Sequence, residues 1–170
     1  MNDPIQQACD VLVERFNAEK REFHQQTTLV LSADSLVKAF LTLRDEQKFN
    51  MLLDVTAVDY LGEEPRFNVV YQLFSLESNV RLSVRVPVSG IDPHIPTVEG
   101  VYQSANWYER EVMDMFGIRF DGHSDPRRII MPADWQGHPL RKDYPLGYEE
   151  VQFTFNFEEI NLRKPKGSEF

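Results

Sequence analysis

The amino-acid sequence predicts an α+β fold: a two-layer sandwich in which helices cover one face of a mixed sheet that contains an antiparallel meander. Residues 67–73 and 80–88 alternate apolar and polar side chains around a short turn, which is typical of a hairpin with one buried face. Two segments, residues 3–21 and 32–43, instead repeat apolar residues at the helical spacing. Amphipathic helices of this kind cover the apolar face of such a sheet.

The first helix is predicted to begin after Asp3, a capping residue that is followed by Pro4 at the first helical position. We expect this helix to continue to about Arg21. Its apolar stripe consists of Ile5, Ala8, Cys9, Leu12 and Phe16. A short strand is expected at residues 27–31, where β-branched and apolar residues follow one another.

A second helix is expected to begin at Ser32 or Asp34, both of which are capping residue types. Residues 51–60 then form a mostly apolar run that is predicted to be a strand. A turn at residues 62–65 would connect this strand to the hairpin. The three strands together would form the meander.

The composition restricts the classes of function. The chain has 170 residues and a net charge of -9, which disfavours non-specific nucleic-acid binding because phosphates require a basic face. The single cysteine, Cys9, excludes an intrachain disulfide and a cysteine-rich metal or iron-sulfur site. No apolar run is long enough to span a membrane, and the first residues do not resemble a signal peptide. We therefore expect a soluble protein in a reducing compartment.

A third helix is predicted from Asn106, a capping residue, to Phe116, followed by Gly117 in the left-handed conformation that ends helices. Asp114 lies in the last turn, where a negative charge opposes the helix macrodipole. We therefore predict that Asp114 is paired with a basic residue that folds back from the following loop. The candidates are Arg119, Arg127 and Arg128.

The residues after this helix allow several interpretations. One is a free-standing acid/base enzyme whose residues would be Glu109, Glu111, Asp114 and His123. With Arg110 among them, the acids are more simply explained as a solvated or ion-paired helix face. A metal site at His123 and His138 would need a convergence that spacing alone does not show. No nucleophile motif or glycine-rich phosphate loop is present.

The motif residues of this region resemble the signature of the C subunit of the proton-pumping NADH:quinone oxidoreductases, the bacterial counterpart of the thirty-kilodalton subunit of respiratory complex I. The similarity is strong over about 40 residues and plausibly extends over residues 1–150. Residues 124–126 depart slightly from the usual pattern. The residues that the resemblance assigns to the family motif or to partner binding are Glu109, Arg110, Glu111, Asp114, His123, Arg127, Arg128, Trp135, His138, Arg141, Lys142, Asp143 and Tyr144.

The resemblance implies a cofactor-free structural subunit of the peripheral arm at the cytoplasmic face of the cell membrane. Its partners would be the large quinone-site subunit and neighbouring iron-sulfur subunits, and FMN and the iron-sulfur clusters would lie in those other subunits. The chain would bind no nucleic acid and no small-molecule substrate, and it would meet the membrane only through the complex. A related membrane-bound hydrogenase or ferredoxin-dependent complex would contain an equivalent subunit and is the alternative.

The chain is expected to divide into an α+β domain, residues 1–120, and an extended motif loop with a C-terminal tail, residues 121–170. The loop and tail would pack on the domain and on partner subunits. Within the tail, residues 151–157 alternate apolar and polar side chains without a charge. Because an exposed strand of this kind is prone to aggregate, we expect it to lie on a partner subunit, with pairing inside the domain as the alternative.

Overall fold

The computed structural model describes residues 3–24, 26–145, 158, 159 and 162. It confirms the α+β prediction: within residues 3–145, three helices and a short 3-10 turn accompany a five-stranded mixed sheet and a separate two-stranded sheet. The helices are α1 (Pro4–Phe16), α2 (Leu36–Asp45) and α3 (Ala105–Phe116). The strands are β1 (Glu19–Phe23), β2 (Gln26–Val30), β3 (Met51–Asp59), β4 (Phe67–Ser75), β5 (Val80–Val88), β6 (His94–Pro96) and β7 (Arg119–Asp121).

The large sheet has the strand order β1-β2-β5-β4-β3. Strands β3, β4 and β5 form the predicted antiparallel meander. Strand β2 runs parallel to β5, with Thr28 opposite Ser83, and β1 closes the other edge antiparallel to β2. This one parallel pair makes the sheet mixed.

The helices bury one face of this sheet. Alternate residues of β4 and β5 point to the helices, so that Tyr71 packs edge to face against Phe40 of α2 with 5.0 Å between ring centroids. Helix α3 packs mainly on β3, at one edge of the sheet, whereas α1 contacts β1 and β5. The fully buried sheet residues of β4 and β5 include Phe67, Val69, Tyr71, Leu73, Leu82, Val84 and Val86.

The prediction that the first helix continues to about Arg21 was wrong. Helix α1 ends at Phe16, because Asn17 adopts the left-handed conformation with φ 54 and its N–H caps the carbonyls of Leu12 and Val13. The residues that follow form β1 and pair with β2. Asp3 does cap α1 as predicted, its side chain accepting a hydrogen bond from the N–H of Ile5 at 3.0 Å.

Helix α3 differs from the prediction only at its start. Ser104 occupies the N-cap position and Asn106 already lies within the helix. Gly117 ends the helix with φ 72, as expected. The chain then turns into β7, which pairs parallel with β6.

The predicted tail strand, residues 151–157, lies outside the described residues, and its pairing stays a prediction. Over the part of the chain that the structure describes, none of the helices has the length and apolarity required to cross a membrane.

Candidate functional site

The family-motif residues lie on α3 and on residues 121–145, which we call the motif segment. The motif segment contains little regular structure, yet it is attached to α3 by many polar contacts. These contacts concentrate around two buried carboxylates of the helix, Glu109 and Asp114, whose side chains have no exposed surface.

Asp114 is enclosed by donors from the motif segment. Its Oδ1 accepts a hydrogen bond from Arg128 Nη1 at 2.6 Å, which confirms the predicted pairing with a basic residue of the loop. Its Oδ2 accepts from three successive backbone N–H groups at 2.8–3.1 Å, those of Ile129, Ile130 and Met131. Burial alone would raise the pKa of Asp114, but these N–H groups and Arg128 outweigh it and hold the pKa below its usual value. The carboxylate therefore orders the loop.

The C-terminal carbonyls of α3 are also occupied by the motif segment. The Asp114 carbonyl accepts from His138 Nδ1 at 2.9 Å, and the Met115 carbonyl accepts from the N–H of Leu140 at 3.1 Å. Arg141 Nε donates to the carbonyl of Phe116. Since helix ends leave four carbonyls without intrahelical partners, the loop supplies donors that the helix lacks. Burial lowers the pKa of His138, which favours its neutral form.

Gly117 makes this close packing possible. A Cβ atom at this position would lie 2.6 Å from Arg141 Nη2 and from the His138 ring. The left-handed φ of 72 is a second reason for glycine, because residues with side chains seldom adopt it. Arg141 and His138 thus pack directly against Gly117 at the C-terminal end of α3.

A third buried carboxylate, Asp59 at the end of β3, holds the far end of the motif segment. Arg66 donates to both of its oxygens at 2.8 Å, and the N–H of Lys142 donates to Oδ2 at 2.8 Å. The other end of the Arg66 guanidinium reaches Asp143 at 2.8 Å. The hydrogen bonds from Arg66 hold the pKa of Asp59 below its usual value despite burial. Lys142 and Asp143 are therefore tied to the meander.

Glu109, near the start of α3, has a different environment. Among the described residues, its carboxyl group receives hydrogen bonds from two neutral donors, the Thr97 hydroxyl and, at 2.8 Å, the N–H of Val98. Burial raises the pKa of Glu109 to about 7, although these two hydrogen bonds oppose the shift. The prediction of a solvated or ion-paired helix face was wrong for this residue, because Glu109 points into the core.

His123 lies beside this carboxyl group, with Nε2 3.9 Å from Glu109 Oε2, too far for a hydrogen bond. Its two nitrogens have other partners. Nε2 is 3.1 Å from the carbonyl of Asn106, and Nδ1 is 3.0 Å from the N–H of Asp125. Since a carbonyl only accepts and an N–H only donates, this network assigns the neutral tautomer with the proton on Nε2. His123 thus serves as a structural link between α3 and the motif segment.

Arg110 connects the middle of the motif segment to the outer side of α3. Its guanidinium donates to the carbonyl of Arg127 at 2.9 Å and to that of Arg128 at 3.3 Å, and Nη1 lies 3.5 Å from Asp125. The same guanidinium lies 5.3 Å from the centre of the Trp107 ring, within cation–π range. Arg127 itself is exposed and pairs with Asp125.

While these polar groups face inward, several apolar side chains of the same region remain exposed. Trp107 is 61% exposed and Ile130 is 55% exposed. Tryptophan and other large apolar side chains are enriched in the buried cores of protein interfaces. The set, which we call the apolar motif surface, consists of Trp107, Ile129, Ile130, Trp135 and Leu140.

The structure therefore does not assemble the acid/base set considered from the sequence. His123 approaches Glu109, but Asp114 is saturated by its donors and Glu111 is exposed on the helix surface. Tyr144 is half-buried and closes a turn through its N–H to the carbonyl of Arg141 at 3.0 Å. Among the residues described, no three His, Cys, Asp or Glu side chains are grouped as metal ligands.

Sequence reasoning missed three participants: Asp59, Arg66 and Thr97. Asp59 carried a usable signal, since it continues the alternation of Val55 and Ala57, both buried in β3. A charged residue in phase with a buried strand face requires a partner. Arg66 and Thr97 carried no comparable local signal.

Comparisons with known proteins identify the family of the chain. The family model described as the 30 Kd subunit of respiratory-chain NADH dehydrogenase matches residues 29–150. A relative from Roseiflexus sp. (strain RS-1), named as the C subunit of an NADH-quinone oxidoreductase, is 47% identical over 87% of this chain and 86% of its own length. One from Geotalea uraniireducens with the same name is 48% identical over 75% of this chain and 78% of its own.

Two solved structures share the fold. A trypsin-resistant fragment of Nqo5 superposes with a TM-score of 0.65 at 32% identity, covering 72% of this chain and 99% of the fragment. A chain of the membrane-bound sulfane sulfur reductase, an archaeal respiratory membrane complex, gives a TM-score of 0.68 at 27% identity, covering 83% of this chain and 85% of that one. This chain belongs to the family of the 30 kDa subunit of respiratory-chain NADH dehydrogenase, that is, of the C subunits of NADH-quinone oxidoreductases.

Proposed function

We propose that this chain is a non-catalytic structural subunit of the peripheral arm of a proton-translocating NADH:quinone oxidoreductase. In this role α3 and the motif segment form the docking surface for the large quinone-site subunit and for neighbouring iron-sulfur subunits, at the cytoplasmic face of the membrane. The chain itself holds no cofactor. FMN and the iron-sulfur clusters lie in the partner subunits, which carry the electrons from NADH to quinone.

The observation that supports the proposal most strongly is which side chains of α3 and the motif segment contact the rest of the chain and which are exposed. Arg128 and Asp125 of the motif segment contact charged residues of α3, and Asp143 pairs with Arg66 beside the meander. The apolar motif surface remains exposed. A catalytic loop would present its acids and bases to a substrate. Here the charges order the loop and the large apolar side chains remain available, which is the composition that dominates interface energies.

The proposal that the chain holds no cofactor is supported by its cysteine content. The only cysteine, Cys9, is buried within α1, and burial raises its thiol pKa to about 11. A cluster held by thiolates requires several accessible cysteines. We expect the purified chain to show no visible absorbance after anaerobic incubation with iron and sulfide, and no NADH oxidation or quinone reduction.

The docking surface is tested by charge insertion into the apolar motif surface. Ile130→Asp should reduce co-purification of the large subunit with the tagged chain about tenfold, because a desolvated charge is costly at an interface. Phe23→Asp is the matched control, since Phe23 is 76% exposed on β1, at the sheet edge opposite the α3-covered β3. Equal retention of partners by both variants would refute the surface assignment.

The same purification separates the two kinds of complex that use this fold. The higher identity to NADH-quinone oxidoreductase subunits, 47% against 27% for the sulfane sulfur reductase chain, favours the first. Flavin-containing NADH-oxidising subunits should therefore accompany the chain. Recovery of a nickel-iron hydrogenase instead would assign it to a related complex.

A further inference from the structure

An open polar groove lies mainly on the face of the large sheet opposite to the helices, and Ile5 of α1 also lines it. It crosses the sheet where β2 and β5 diverge, and encloses about 440 Å³. The β2–β5 ladder begins at Thr28 and Ser83, so the residues before them are not paired with each other. The lining residues are Ile5, Gln26, Thr27, Thr28, Gln72, Arg81, Ser83 and Arg85.

The groove has two cations and no internal anion. Within the described residues, the Arg81 and Arg85 side chains form neither an ion pair nor a hydrogen bond, and Arg85 Nε is enclosed without any acceptor. In the strand register the nearest acidic residues are Glu19, aligned with Arg85 through Val30, and Asp54, aligned with Ser83 through Gln72. Glu19 pairs with Arg21, and neither acid pairs with Arg81 or Arg85. Arg81 is exposed and Arg85 is half-buried, so the accessible nitrogens of both guanidinium groups can bind an anionic group from outside.

The charge of the groove contrasts with that of the chain, whose net charge is -9. Other exposed arginines of this domain are neutralised locally, as Arg15 is by Glu46 and Arg21 is by Glu19. Two unpaired guanidinium groups on an acidic protein therefore mark the groove as a place for a negatively charged partner.

The geometry favours an extended segment over a single small anion. Arg81 and Arg85 are four residues apart on one strand face, about 13 Å along β5 at the usual rise. Ser83 lies between them and accepts a hydrogen bond from Gln72 at 3.2 Å. Carboxylates four residues apart in an extended chain match this separation, whereas one phosphate would meet both arginines only if their side chains converged over Ser83.

We propose that this groove binds an extended acidic segment of a neighbouring subunit, with carboxylates of that segment paired to Arg81 and Arg85. The inference rests on the proposed role within the complex and adds a second contact, on the face opposite to the helices. The apolar motif surface supplies buried area, and the arginine groove adds an electrostatic, salt-sensitive contact.

Zero-length cross-linking in the intact complex identifies the partner directly. In Arg81→Lys and Arg85→Lys variants, a carbodiimide joins the new amine to any carboxylate in contact with it. The expected product is a peptide of this chain joined at position 81 or 85 to an Asp or Glu of another subunit. Cross-links only to this chain's own acidic residues, or none at either position, would overturn the proposal.

Charge reversal provides the quantitative test. Arg81→Glu with Arg85→Glu should lower retention of the cross-linked neighbour at least about fivefold. Lys38→Glu with Lys48→Glu is the matched control, because it changes the charge equally at two positions of the helical layer and its loop. Equal retention by both double variants, with normal assembly, would refute the groove while leaving the proposed function intact. If the unmutated chain recovers no complex, the proposed function itself fails.

A thermal-shift experiment with inorganic phosphate tests whether the groove instead binds a free anion. We expect phosphate to raise the melting temperature of the full chain no more than chloride does at equal ionic strength. A phosphate-specific increase that disappears in Arg81→Glu with Arg85→Glu would assign the groove to a free anion and overturn the assignment to a partner subunit.

Discussion

The two ends of α3 each bury one carboxylate, and the two carboxylates behave in opposite ways. Asp114 has four hydrogen-bond donors on its side chain, one of them a guanidinium, and its pKa is held below the usual value. Glu109 has two neutral donors, and burial raises its pKa to about 7. Neither side chain is exposed, but Glu109 lies deeper in the protein and has fewer donors. Depth of burial and the number and charge of the donors together determine the ionisation state.

The difference separates two structural roles. The ionised Asp114 end organises a loop, since a carboxylate that collects three backbone N–H groups fixes the path of the chain around it. The Glu109 end joins α3 to residues 97 and 98 through a group whose protonation changes near neutral pH. One end is an ion-dependent anchor and the other is a weaker neutral contact.

The largest expected effect comes from Asp114→Asn. Removing the charge leaves Arg128 and three N–H groups around a neutral amide, and breaking a buried pair of this kind costs about 4 kcal/mol. Denaturant unfolding monitored by tryptophan fluorescence measures the loss. Glu111→Gln, on the exposed face of the same helix, should change little. A loss below about 1 kcal/mol for Asp114→Asn would show that the ion pair does not stabilise the fold.

The next effect is expected from Gly117→Ala. The new Cβ would collide with Arg141 and His138, and the residue would have to keep a left-handed φ. We expect a loss of about 3 kcal/mol and faster proteolytic cleavage within residues 121–145. Gly100→Ala is the control, because a methyl group added there would have no atom within 4 Å. Similar protease resistance in both variants would contradict the close packing over Gly117.

A moderate, pH-dependent effect is expected from Glu109→Gln. Because the folded-state pKa is raised from 4.5 to about 7, the folded protein retains a proton that the unfolded chain loses. This contribution to stability is full below about pH 4.5, decreases as the pH rises from about 4.5 to about 7, and is lost above about pH 7.

Between pH 5 and pH 8 the unmutated chain should therefore lose about 2 kcal/mol relative to Glu109→Gln. The glutamine oxygen can accept from the N–H of Val98, and the glutamine NH2 can donate to the Thr97 oxygen once that hydroxyl, which donates to Glu109, rotates. Free energies of unfolding measured across this range give the difference directly. Parallel pH profiles for the two proteins would show that Glu109 is ionised throughout.

The smallest effect is expected from Arg127→Ala, which gives the sharpest comparison with its neighbour. Arg127 is 79% exposed at its side chain, and its pair with Asp125 is screened by solvent and salt. The unfolding midpoint should be unchanged, whereas Arg128→Ala should lower it clearly. If the two variants lose equal stability, burial does not distinguish these adjacent arginines.

The fold was largely predictable because its strongest determinants are local. Alternation along β4 and β5 marked the meander, and Asp3-Pro4 marked the start of α1. Strand β1 was not predictable in the same way. Its sequence, EKREF, has no apolar alternation, and it becomes a strand because β2 offers a pairing edge. Tertiary pairing thus overrides a weak local preference.

The site was predictable where a local imbalance demanded a partner. Asp114 at a helix C-terminus required a cation, and Arg128 supplies it. Glu109 was misjudged because its neighbour Arg110 suggested a polar face. The helical spacing nevertheless placed Glu109 in line with Val112 and Phe116, both buried, and this position was the better guide.

The hydrogen bonds that the motif segment donates to the last carbonyl groups of α3 also affect amide hydrogen exchange. The N–H of Leu140 is bonded to the helix carbonyl of Met115, although Leu140 lies in an irregular segment and its side chain is 53% exposed. Amide protons of surface loops normally exchange with solvent quickly. The amide proton of Leu140 should instead exchange as slowly as those of the last turn of α3, because both are released by the same opening event. The irregular segment and the helix then form one cooperative folding unit.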